Sequence, residues 1–108
     1  MLAIEGNAKG LYILPQMTIS SIDDPDRVRR KKLLYRAWHR GTREADLLLG
    51  TFADRYVAGF DRGQLDQFEA LLEIDDALLY DWIAGRAAPP VEQRSAVMQL
   101  LLDFRLTT

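Results

Sequence analysis

The best opportunity for chemistry in this 108-residue chain lies at Arg40-Gly41-Thr42-Arg43-Glu44-Ala45-Asp46, where opposite charges flank a glycine and a threonine suited to begin a helix. Arg40 and Glu44 stand four residues apart. They can pair across the turn, an exposed contact that contributes roughly a few tenths of a kcal/mol, or both can point outward from a rigid corner and meet a partner. Gly41 would let that partner's backbone come close. Other groups offer less. His39 is the sole histidine, so no second imidazole completes a metal site, and no Ser or Asp spacing around it suggests a triad. Asp75-Asp76 reads as a helix cap, because carboxylate metal binding needs more oxygen ligands at closer spacing. Cysteine is absent, which removes thiolate ligands and a Cys nucleophile. Glycines are isolated, so no loop cradles phosphate. Neither catalytic nor metal residues are assigned, and the chain reads as an interaction module.

The net charge of −2 hides an asymmetry. Residues 1–43 carry nine Lys/Arg and four Asp/Glu, whereas residues 44–108 carry five Lys/Arg and twelve Asp/Glu. Such a dipolar surface suits docking onto a partner with complementary patches. The run from Arg27 to Arg43 holds eight Lys/Arg and no acid. It is open to three readings: a solvated helix face, a surface tracking nucleic-acid phosphates, or a patch that docks onto an acidic protein or a phosphate-bearing cofactor. Nucleic-acid binders are usually basic overall, and only Tyr35 and Trp38 interleave aromatics here. No apolar run is long enough to span a bilayer, and the N-terminus, with Lys9 and Glu5, reads as neither a signal peptide nor an Arg-rich transit peptide.

The elements that must hold the corner are helical. Residues 1–22 show no sustained period and are expected to be a flexible arm, with Met17 an alternative start; residues 23–108 are the helical domain. Asp24 and Pro25 predict a helix start, and the first helix runs to about His39 with Leu33, Leu34, Ala37 and Trp38 on its apolar side. Gly41 fits the position just past its end. Thr42 caps the second helix, where Ala45, Leu48, Leu49, Phe52, Ala53, Tyr56, Val57 and Phe60 follow i, i+3, i+4 spacing without a miss. Asp61-Arg62-Gly63 breaks it. A third helix is expected over about Gln64 to Glu73, a fourth capped by Asp75 and closed by Gly85, and a fifth over about Val91 to Arg105. No stretch alternates as a strand. The fold class is all-α, a single small five-helix bundle.

The chain resembles the small flavinylation and assembly factors of succinate dehydrogenase. The match lies in Arg40-Gly41-x-x-Glu44-x-Asp46 with Leu47-Leu48-Leu49 directly after it. It continues in Leu71-Leu72-Glu73-Ile74-Asp75-Asp76-Ala77-Leu78-Leu79-Tyr80-Asp81-Trp82-Ile83, behind a similarly basic first helix. It covers about residues 25–105; residues 1–22 match nothing in the pattern. The resemblance implies a non-enzymatic, five-helix factor that binds the flavoprotein subunit of succinate dehydrogenase, and in some bacteria that of fumarate reductase, and promotes its covalent flavinylation. FAD would be attached to the partner and not stably bound by the factor. Carried across, the partner-binding patch is Arg40, Gly41 and Glu44, with Asp46, Arg36 and Trp82 as further members. The expected compartment is the bacterial cytoplasm, with no membrane partner. On the residues alone, a nucleic-acid-binding module using the first helix, a regulatory antitoxin-like protein, and a small enzyme using Glu44 with His39 remain as rivals.

Overall fold

Helix starts in this protein are set by short polar side chains that satisfy amides the helix cannot. Asp24 Oδ1 accepts from the Asp26 amide at 3.0 Å, with Pro25 opening α1 (Pro25–Trp38). Thr42 Oγ1 accepts from Ala45 N at 3.2 Å to begin α2 (Arg43–Tyr56). Asp61 and Gln64 form a reciprocal capping box at the head of α3 (Arg62–Leu72). Asp75 Oδ2 accepts from Ala77 N at 3.2 Å before α4 (Asp76–Ile83). The last helix is α5 (Ala96–Thr107). The computed structural model describes residues 24–107, and among them these five α-helices and two 3-10 turns, Val57–Gly59 and Val91–Gln93, are the only regular elements. The expected arm over residues 1–22 lies outside the described residues.

The helical periodicity of α2 becomes the centre of the core. Ala45, Leu49, Phe52 and Ala53 are buried, and Val57 and Phe60 continue the buried face through the 3-10 turn. Each such large side chain contributes about 1.5–3 kcal/mol on burial. Phe52 is the hub: its ring lies 4.9 Å from Tyr56, 5.8 Å from Phe68 and 5.6 Å from Phe104, centroid to centroid. Leu33 and Ala37 of α1, Leu65, Leu71 and Leu72 of α3, Leu79, Trp82 and Ile83 of α4, and Val97, Met98 and Leu101 of α5 complete the cluster.

Two boundaries differ from expectation. Helix α3 begins at Arg62, because the Asp61–Gln64 capping box outweighs the cost of a glycine at position 63. Helix α5 begins at Ala96. Ser95 Oγ accepts from Met98 N at 3.0 Å, and Arg94 Nε donates to Pro89 O at 2.8 Å, so the chain between Pro90 and Ser95 is held as a separate turn. Gly50 also has a role that periodicity does not reveal. A Cβ there would fall 2.1 Å from the Trp38 ring, so the glycine lets the indole lie on α2. Trp38 Nε1 then donates to Asp54 Oδ1 at 3.2 Å.

Candidate functional site

The corner between α1 and α2 is only four residues long and is fixed from several directions. His39 ends α1 with its amide on Arg36 O. Gly41 has φ +118°, a conformation that disfavours any side chain. One turn into α2, the Asp46 carboxylate reaches back and accepts from the Arg40 and Gly41 amides. A Cβ at Gly41 would meet nothing within 4 Å. The glycine is therefore required by its backbone, and the space in front of it is open.

Arg40 does not pair with Glu44, nor does it point outward. Its side chain is 11% exposed and runs inward across the ends of α3 and α4. The guanidinium donates to Leu72 O, to Ile74 O at 2.9 Å, and to Asp76 Oδ1 through Nε at 3.0 Å and Nη2 at 2.7 Å. Carbonyls left over at the C-terminus of α3 suit a planar, multi-donor cation, and Asp76 supplies the countercharge. The Asp75-Asp76 pair thus divides its work, the first acid capping α4 and the second holding Arg40.

The same seam absorbs much of the basic run. Arg29 Nη2 meets Asp66 Oδ1 at 2.6 Å and Glu69 Oε1 at 2.8 Å, which raises its already high pKa. Arg36 pairs with Glu73. Arg30 donates to Val57 O and Phe60 O at 3.3 and 2.6 Å, satisfying carbonyls where the α2 run ends. The basic first third and the acidic remainder therefore neutralise each other inside the molecule in large part. Of the basic run, Arg27, Lys31, Lys32 and Arg43 stay exposed with no ion-pair partner among the described residues.

What faces solvent is Glu44, exposed and without an ion-pair partner among the described residues. On one side of the corner lies a hollow bordered by Trp38, Gly41, Thr42, Asp46 and Leu47, the last 49% exposed. On the other, an open groove between α2 and α4 is lined by Thr42, Glu44, Leu48, Tyr80, Ile83 and Arg86. Trp82 is 9% exposed and belongs to the core, so its ring positions α4 and does not present itself at the surface. Tyr80 carries the one buried side-chain polar atom without a hydrogen-bond partner among the described residues. Burial, with the charges of Asp76 and Glu44, raises its pKa above 10.0; Thr42 and Arg40 temper the rise. Sequence reasoning missed Tyr80 because nothing local marks a hydroxyl that folding will strand. His39 stacks on Tyr35 at 3.8 Å, with Nδ1–H donated to Tyr35 O at 2.7 Å. No group of three or more His, Cys, Asp or Glu among the described residues could hold a metal ion.

Five helices around one aromatic core, with a charged corner between the first two, define a small all-α bundle. Residues 31–105 match the family described as flavinator of succinate dehydrogenase, and the chain belongs to that family. It is 43% identical over 92 residues to a succinate dehydrogenase assembly factor 2, mitochondrial, of Debaryomyces hansenii, covering 82% of this chain and 62% of the relative. It is 35% identical to an FAD assembly factor of Acetobacter pasteurianus, covering 69% of each. A mitochondrial succinate dehydrogenase assembly factor 2 of Dictyostelium discoideum is 33% identical, with 78% of this chain and 67% of the relative covered. The chain thus spans roughly two thirds of the length of these relatives, and about half of others such as one from Drosophila willistoni. The expectation of a bacterial cytoplasmic protein is corrected here: the eukaryotic relatives are described as mitochondrial.

Proposed function

We propose that this protein is an assembly factor that binds the flavoprotein subunit of succinate dehydrogenase and promotes its covalent flavinylation, in the mitochondrial compartment named for its eukaryotic relatives. The observation that carries the reading is Glu44, an unpaired carboxylate on a corner braced by Arg40, Asp46 and Gly41. Glu44 and the open space before Gly41 form the contact surface. Arg40, Arg36, Asp46 and Trp82 act behind it, holding helix ends in place. The factor donates no reacting atom. By binding one arrangement of the flavoprotein's domains more tightly than others, it raises the population in which the acceptor histidine and FAD are in reacting geometry. The attachment itself is autocatalytic in the partner. A fumarate reductase flavoprotein would be a second client where one exists.

In this reading FAD is the partner's group and is not stably held by the factor. A pyrophosphate is usually held by a Gly-rich turn at a helix N-terminus or by a cluster of free cations; Gly41 stands alone, and Arg36 and Arg40 are engaged by Glu73 and Asp76, which leaves Arg43 the one unpaired arginine at the corner among the described residues. The nucleic-acid reading loses support for the same reason, since the seam engages Arg29, Arg30 and Arg36.

Co-expression with the flavoprotein subunit, with covalent flavin read by in-gel fluorescence, tests the proposal. Flavin should rise with the wild-type factor and fall toward the factor-free level with folded Glu44→Ala and Gly41→Arg. Flavinylation indifferent to both substitutions would remove the corner from the mechanism.

A further inference from the structure

We infer that the outer face of α1 receives a short acidic segment of the flavoprotein subunit, seated on Lys31, Lys32 and Tyr35; the partner's identity rests on the proposed function above. The eight basic residues from Arg27 to Arg43 fall into two sets. Arg29, Arg36 and Arg40 are held by carboxylates, and Arg30 by two backbone carbonyls. Arg27, Lys31, Lys32 and Arg43 are exposed and have no ion-pair partner among the described residues. The first three of these share one side of α1. Arg27, Lys31 and Tyr35 follow one another at four-residue spacing, and Val28 and Lys32 form a second row beside them. The one acid of α1, Asp26, is taken by Arg62, so this face has no countercharge of its own.

The face is also more than a solvated row of charges. Val28 is 45% exposed and Tyr35 64%, so apolar surface lies between the cations. Lys31, Lys32, Tyr35 and Arg36 border a shallow depression. The Tyr35 ring stacks on His39 at 3.8 Å, and His39 together with Arg43 lines the hollow in front of Gly41. The cationic face therefore continues into the proposed contact surface. A tyrosine already held by stacking loses little further freedom when a partner arrives. Its hydroxyl and the lysine ammonium groups are all donors to carboxylates.

The charge balance selects a short segment over a long polyanion. The chain as a whole is acidic, at −2, and the unpaired Glu44 lies just beyond the hollow. A nucleic acid running past the corner would meet that carboxylate, and the cations of α1 offer it only about three phosphate contacts. A few carboxylates on one segment match the same cations and leave Glu44 to its own contact.

Lysine occurs only at positions 9, 31 and 32, which makes a chemical test selective. Carbodiimide treatment of the complex with the purified flavoprotein subunit joins a lysine amine to a touching carboxylate as an amide, and mass spectrometry identifies the pair. Lys31 or Lys32 should be linked to an Asp or Glu of the subunit. In parallel, the double variant Lys31→Glu, Lys32→Glu should associate with the subunit about tenfold more slowly at low salt. Its thermal midpoint should stay that of wild type, and the two association rates should converge as added salt screens the charges. Lysines with a merely structural role would shift the midpoint and leave the salt dependence of association alone. A wild-type association rate for the double variant would overturn the inference. So would a complex without the expected link, links from Lys31 and Lys32 only to a second copy of this chain, or a double variant that loses affinity for a DNA duplex and not for the subunit; each leaves the proposed function standing. Failure of the wild-type factor to form any complex with the subunit would overturn both.

Discussion

The seam of α1 with α3 and α4 and the groove between α2 and α4 start within four residues of each other, at Arg40 and Glu44, and they are completed in opposite ways. In the seam, Arg29 meets acids of α3, Arg36 the residue that ends α3 and Arg40 an acid of α4, and Arg40 also takes two backbone carbonyls. In the groove, a carboxylate and a hydroxyl have no partner among the described residues. A saturated polar cluster gives little net stability over an apolar one, but it becomes costly when one member is lost. An unsaturated cluster is cheap to alter in the free protein, because what it would bond is absent. The two ends of one short motif therefore differ in kind: one builds the corner and the other uses it.

Substitutions should separate the two. The largest effect is expected at Arg40→Ala, which strands Asp76 and the carbonyls of Leu72 and Ile74. A loss of about 3 kcal/mol is expected, lowering the thermal midpoint by more than about 10 °C. A midpoint near wild type would dissolve the distinction drawn above. Gly50→Ala should follow, at about 2 kcal/mol, since the new methyl drives the Trp38 ring off α2; urea unfolding measures it. Tyr80 gives a smaller, pH-dependent effect. Its pKa is raised in the fold, so the stability gained by keeping it neutral is complete below its ordinary value of 10.0 and is lost as pH climbs through the raised value. Tyr80→Phe escapes that loss, and its advantage in chemical denaturation should widen at strongly alkaline pH. The smallest effect on stability, within about 0.5 kcal/mol, is expected at Glu44→Ala, despite its loss of partner binding. A Glu44→Ala protein that unfolds much more easily would move Glu44 into the seam's category.

Much of the scaffold was legible in the sequence because helices announce themselves locally. The α2 stripe from Ala45 to Phe60 and the caps at Asp24, Thr42 and Asp75 need only neighbours within one or two turns. Helix α5 starts at Ala96 and not near Val91 because the decisive bonds, from Arg94 to Pro89 and from Met98 to Ser95, belong to the folded turn. At the site, the positions of Arg40, Gly41, Glu44 and Asp46 were legible but their directions were not. Arg40 finds its partners 32 to 36 residues away, a distance no local pattern spans. No local pattern marks Gly50 either, because its function resides in the indole of another helix.

The Trp38 ring, flat on Gly50 and bonded to Asp54, also borders the hollow in front of Gly41. Trp82, the only other tryptophan of the chain, is enclosed in the core. The molecule consequently carries its own optical gauge. In a Trp82→Phe background, a partner that settles against Gly41 excludes water from the edge of the remaining indole, and the resulting blue shift of its emission reports occupancy of the corner without any label.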